Sequence, residues 1–168
     1  MQRTLELPRL CFWLWVPPLG ASLSLWGQLP PAYQPDYFDL WVPPVLGFAE
    51  TILKLAAIVI STLLVAGLSQ PRQRLGLGIY LAGVAIYLAS YLSQILAPDG
   101  AWAQSFLGFT APAFTPAIWI AGIGLMVNNG IGLPTRWLQI VFWVCATGFM
   151  MTHIINASLV HVALSGGN

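Results

Sequence analysis

Five apolar stretches joined by short polar or proline-rich segments constrain this chain more than any single motif. They cover residues 10–27, 44–68, 75–97, 106–128 and 136–164. A soluble domain keeps about a quarter of its residues charged, whereas here 7% are charged and 58% hydrophobic. Since ~20 helical residues cross the ~30 Å hydrocarbon core, five spans consume nearly all of the 168 residues. The expected fold is all-α: an integral membrane protein forming a single transmembrane bundle of about five helices over residues 1–168. The lipid bilayer is its first partner, and no room is left for a separate soluble domain.

The joints refine this division. Arg3, Glu6 and Arg9 precede the first apolar stretch. The small-x-small pattern around Leu19 to Ala21 is poor for a cleaved signal, so an uncleaved first helix is expected, kinked or broken near Pro17-Pro18. The 28–43 segment is too proline-rich for a helix and carries Tyr33, Tyr37, Phe38 and Trp41, residues suited to the headgroup level or to a lid over a pocket. Pro43-Pro44 suits a helix start, where a missing N–H costs nothing. In the third stretch Gly76, Tyr80, Gly83, Tyr87, Ser90, Tyr91 and Gln94 recur every three or four residues, which predicts one small, polar face for close helix packing. The 111–116 segment, Ala-Pro-Ala-Phe-Thr-Pro, divides the fourth stretch, and the last predicted helix, at ~45 Å, exceeds the hydrocarbon thickness.

Charge placement tests the count. Arg3, Arg9, Arg72, Arg74 and Arg136 all fall on one side of a five-span bundle, and Asp36, Asp39 and Asp99 fall on the other. The positive-inside rule therefore expects a cytoplasmic N-terminus, an outer C-terminus and an outer 28–43 loop. A bacterial inner (plasma) membrane is the expected setting.

Glu50 and Lys54 stand inside the second stretch, about 9 and 15 Å beyond Pro44. Charged side chains at such depth are costly and are normally paired or turned to a cavity. Four residues apart, they suit either a helix-local ion pair or a cavity wall. Helices three and five run the opposite way, bringing Tyr87, Tyr91, His153 and Asn156 to a similar depth. The candidate ligand-binding set is thus Trp41, Phe48, Glu50, Lys54, Tyr87, Tyr91, His153 and Asn156, in an outer-leaflet pocket for a hydrophobic or amphipathic small molecule.

Other classes find little support. No basic run points to nucleic acid. Cys11 and Cys145 have no C-x-x-C spacing and read as buried small hydrophobes. His153 and His161 are eight residues apart on one helix, ~12 Å of rise, too far to share one metal or haem. No hydrolase, zinc-protease or P-loop motif occurs, so no catalytic residue, metal site or cofactor is assigned.

Trp41-Val42-Pro43-Pro44 followed by Phe48 resembles the start of the second helix in the tryptophan-rich sensory protein family, the translocator-protein (TspO) type. That resemblance implies five helices, a long outer first loop and a pocket beneath it for porphyrins or sterol-like ligands. This chain departs from the pattern in lacking the Trp-Tyr and Lys-Pro that precede the motif. It also has Leu53-Lys54 near an expected Leu-Tyr, and Tyr87 where that family has Asn. Helix two with its basic turn and Arg74-Leu75-Gly76-Leu77-Gly78 also resembles DoxX-like small membrane proteins, implying a membrane subunit of a redox system. A structural or assembly subunit, meeting a membrane-protein partner or a second copy of itself, is the third expectation.

Overall fold

A computed structural model describes residues 10–166, so the N-terminal arm with Arg3, Glu6 and Arg9 lies outside the described residues. The helices are α1 (Val16–Trp26), α2 (Pro44–Ser61), α3 (Pro71–Leu96), α4 (Phe106–Phe114), α5 (Pro116–Met126) and α6 (Thr135–Gly166), with single helical turns in the joints. Pro44–Ser61, Pro71–Leu96, Phe106–Met126 and Thr135–Gly166 are each long and apolar enough to cross a membrane.

Local chemistry sets most boundaries. Pro71 occupies the first turn of α3, and Gln70 and Gln73 form a reciprocal capping box. Helix three therefore begins inside the basic turn, four residues before the expected Leu75. Ser105 caps α4, its Oγ accepting from the Gly108 N–H at 3.0 Å. The expected break near residues 111–116 falls between Phe114 and Pro116 and separates α4 from α5.

The first apolar stretch differs from the single helix expected over 10–27. It is a 3-10 turn, Cys11–Leu14, followed by the 11-residue α1. Pro17 and Pro18 occupy the first turn of α1, so of the two expectations the stretch is broken beside the prolines and not kinked through them. Buried contacts hold this stretch: Trp15 Nε1–H donates to Ser61 Oγ at 2.9 Å, and the Tyr80 hydroxyl donates to the Leu14 carbonyl at 2.9 Å. Trp15 is 1% exposed. Removing its acceptor with Ser61→Ala is expected to cost about 1 kcal/mol, read as a lower midpoint of thermal unfolding in detergent. An unchanged midpoint would show that this bond does not hold the first segment.

Two expected helices end early for a reason hydropathy does not see. Leu64–Ala66 (β1) and Val127–Gly130 (β2) leave the helices and pair antiparallel, Leu64 opposite Gly130 and Val65 opposite Asn129. Leu10 adds a single bridge to Val65. This small sheet satisfies backbone groups of three chain segments at one end of the bundle, the sheet end. At the other, loop end, the Tyr33 hydroxyl donates to the Phe109 carbonyl at 2.8 Å and the two rings stack at 4.7 Å. Segment 10–33 thus runs from one end of the bundle to the other.

The core forms where α3 lies against α5. Every residue of the predicted small and polar stripe, from Gly76 to Gln94, is buried. Gly83 faces the backbone of Trp119, and Gly122 faces that of Tyr80. The stripe is a packing seam, and its polar side chains find partners within it or on the segments beside it. Gln94 Nε2 donates to the Gly108 carbonyl at 2.7 Å, and Ser90 Oγ donates to the Tyr87 carbonyl at 2.6 Å. On the other side α2 packs on α6, where Leu53 closes over Gly148.

Candidate functional site

The helical period decides which way Glu50 faces. Val45, Phe48, Ile52, Leu55 and Val59 form the exposed apolar face of α2, which leaves Gly47, Glu50 and Lys54 on the side turned to the bundle. Opposite them, His153 and Asn156 lie three residues apart on one face of α6. Glu50 Oε1 meets His153 Nδ1 at 3.0 Å, and Oε2 accepts from Asn156 Nδ2 at 2.7 Å. An ionised carboxylate only accepts, so with Glu50 ionised this contact requires the His153 proton on Nδ1. Both carboxylate oxygens are thereby held by one neighbouring helix.

Lys54 does not join this arrangement. Of the two readings open for Glu50 and Lys54, the helix-local contact ion pair is not formed: the carboxylate's hydrogen bonds go to α6, and Lys54 acts on it only through its charge. The Lys54 ammonium stands 5.9 Å from the centroid of Phe149, whose ring also stacks on His153 at 5.4 Å. Among the described residues no carboxylate or hydrogen-bond acceptor pairs with it.

These groups line a cavity of about 260 Å³ between α2, α4, α6 and the 28–43 loop. Of the residues expected from sequence, Glu50, Lys54, Tyr91, His153 and Asn156 lie on its wall. Tyr87 lies behind the wall, its hydroxyl donating to that of Tyr91 at 3.2 Å. Trp41 and Phe48 do not line it; they are 48% and 69% exposed on the outside of the bundle. Phe48 is two residues from Glu50, ~200° around the helix, so a Glu50 turned inward sends Phe48 outward.

The 28–43 segment, one reading of which is a lid, contributes Tyr33, Phe38, Asp39 and Val42 to the cavity. Trp26 and Phe109, which the sequence did not single out, are also on the wall. The loop dips inward at Tyr33 and Val42, while Tyr37 and Trp41 remain exposed. Burial raises the pKa of the Tyr33 phenol, so it stays a donor to Phe109. Tyr33 and Phe109 also separate this cavity from a second groove of about 440 Å³ beside Asp99 and His161. There His161 Nε2 donates to the Gln104 carbonyl at 3.2 Å, and its ring packs against Phe106 and Phe109.

One fully buried polar atom on the cavity wall is also unsatisfied. Asn156 is 1% exposed, and its Oδ1 has no hydrogen-bond partner among the described residues. The same holds for Trp119 Nε1, which lies outside the cavity, with its ring edge-on to Trp15. No three His, Cys, Asp or Glu side chains cluster with metal-binding geometry among the described residues. No protein-family model, curated protein or solved structure matches the chain.

Proposed function

We propose that this small multi-pass membrane protein holds a hydrophobic or amphipathic small molecule in the cavity beneath the 28–43 loop. The supporting observation is a carboxylate fixed by two donors of a neighbouring helix beside an unpaired ammonium, around open space. Apolar residues at positions 50 and 54 would avoid the desolvation cost of both charges. The unsatisfied Oδ1 of Asn156 also favours a ligand that completes the site.

Arg72, Arg74 and Arg136 belong to the sheet end, and Asp36, Asp39 and Asp99 to the loop end. The positive-inside rule then makes the sheet end cytoplasmic and the loop outer. The end-to-end course of segment 10–33 favours counting it as a fifth crossing, with a cytoplasmic N-terminus and a bacterial plasma membrane as the setting. A long outer loop above a pocket also agrees with what the TspO resemblance implies. The volume restricts the ligand: about 260 Å³ is just below the roughly 300–1,000 Å³ of ordinary small-molecule sites. A porphyrin or sterol would have to lift the loop.

Trp26 makes the proposal testable by fluorescence because it is on the cavity wall, unlike Trp41. Saturable quenching by a bound amphiphile is expected to fall by at least half in Trp26→Phe and to persist in Trp41→Phe. Absence of saturable quenching by every amphiphile, with the protein folded, would end this reading.

A further inference from the structure

We infer that the cavity takes an amphiphile with a single anionic head, which enters head-first and rests on Lys54. This inference rests on the ligand-binding reading above and adds the ligand's charge and direction. Lys54 is a donor with three N–H groups and no acceptor among the described residues. Its contact with Phe149, 5.9 Å to the ring centroid, is at the limit of a cation–π interaction and leaves those N–H groups unmet. Glu50, one turn away on the same wall, attracts Lys54 through its charge but accepts no hydrogen bond from it, its bonds going to His153 and Asn156. A membrane-embedded ammonium is rarely left without an acceptor, and Lys54 lies on the cavity wall.

The gradient along the cavity fixes the orientation. α2 starts at Pro44 beside the loop, so Lys54, ~15 Å along the helix, is at the deep end. Trp26, Phe38, Val42 and Phe109 supply an apolar mouth. Asp39, also on the wall, places a negative charge on the loop side, where it repels a second anionic group. A carboxylate or phosphate head meets Lys54 at depth, an apolar tail fills the mouth, and a dianion with one charge at each end is excluded. A free carboxylic amphiphile and an anionic lipid share this chemistry.

The test measures Trp26 quenching in phosphatidylcholine nanodiscs with decanoate, decanol, decylamine and decanedioate. A charge-assisted hydrogen bond of about 1.5–3 kcal/mol corresponds to roughly 10- to 150-fold in affinity. Decanoate is therefore expected to bind at least tenfold more tightly than decanol, with decylamine and decanedioate weaker still. Lys54→Gln should bring decanoate down to decanol while leaving decanol unchanged, and Lys54→Arg should keep the preference. Phosphatidylglycerol in the nanodiscs distinguishes the sources. Competition with decanoate that disappears in Lys54→Gln supports a lipid phosphate at Lys54, and no competition supports a free carboxylate there. Equal, saturable binding of decanoate, decanol and decylamine would overturn the inference while leaving the ligand cavity standing. If none of the four binds saturably, both fall. The wild-type ranking decides the matter even if Lys54→Gln does not fold.

Discussion

Glu50→Ala is expected to destabilise the protein by about 2–4 kcal/mol. The substitution removes both acceptors at once, leaving His153 Nδ1–H and Asn156 Nδ2 without partners between α2 and α6. Interhelical hydrogen bonds in membranes are worth from ~0.6 to about 2 kcal/mol each. Unmet donors in a largely desolvated site push the loss upward. Asn156 suffers most, because at 1% exposure its amide already has one unsatisfied atom and would then have no partner. Glu50→Gln separates hydrogen bonding from charge: its oxygen can still accept from Asn156, and its amide can donate to the other histidine tautomer. Thermal unfolding in detergent should place Glu50→Gln within about 1 kcal/mol of the wild type. If Gln is as damaging as Ala, the negative charge itself is required and the hydrogen-bond account is wrong.

That cluster was legible in the sequence because it depends on two regular quantities. Helix direction and rise per residue bring Glu50, Tyr91, His153 and Asn156 to one depth, and the i, i+3 and i, i+4 spacings put Glu50 with Lys54, and His153 with Asn156, on common faces. The same arithmetic argues against Phe48, which the Trp-Val-Pro-Pro motif attracts into the site by adjacency in sequence. Adjacent residues in a helix face different ways, and Phe48 lies on the exposed side. The cavity roof could not be read in this way. Tyr33 and Phe38 sit in a joint of single turns, where no period links residue number to direction. The sheet was hidden for a related reason. Leu64-Val65-Ala66 is as apolar as the helix before it, and hydropathy does not distinguish a buried strand from one more helical turn. The partnership of Glu50 with α6 in place of Lys54 was likewise undecided in sequence, since both arrangements satisfy the spacing.

Gly83→Ala and Gly122→Ala are each expected to cost about 3 kcal/mol, the upper part of the range for overpacking. A Cβ on Gly83 would stand 2.5 Å from the Trp119 backbone nitrogen, and one on Gly122 would stand 2.5 Å from that of Tyr80. Neither neighbour is a flexible side-chain tip, so relief requires α3 and α5 to move apart along their main contact. The displacement would spread to the cavity through Tyr91, on its wall, and Tyr87 behind it. Decanoate affinity should therefore fall together with stability. Gly78→Ala provides the control within the same helix, because nothing lies within 4 Å of the added methyl. There the better helix propensity of alanine should raise stability by roughly 0.5–1 kcal/mol. Opposite signs for Gly83→Ala and Gly78→Ala in parallel unfolding measurements would locate the α3–α5 contact at the Gly76–Gln94 stripe. Equal effects would mean that α3 presents a different face to α5, and Tyr91 would then lose its place on the cavity wall.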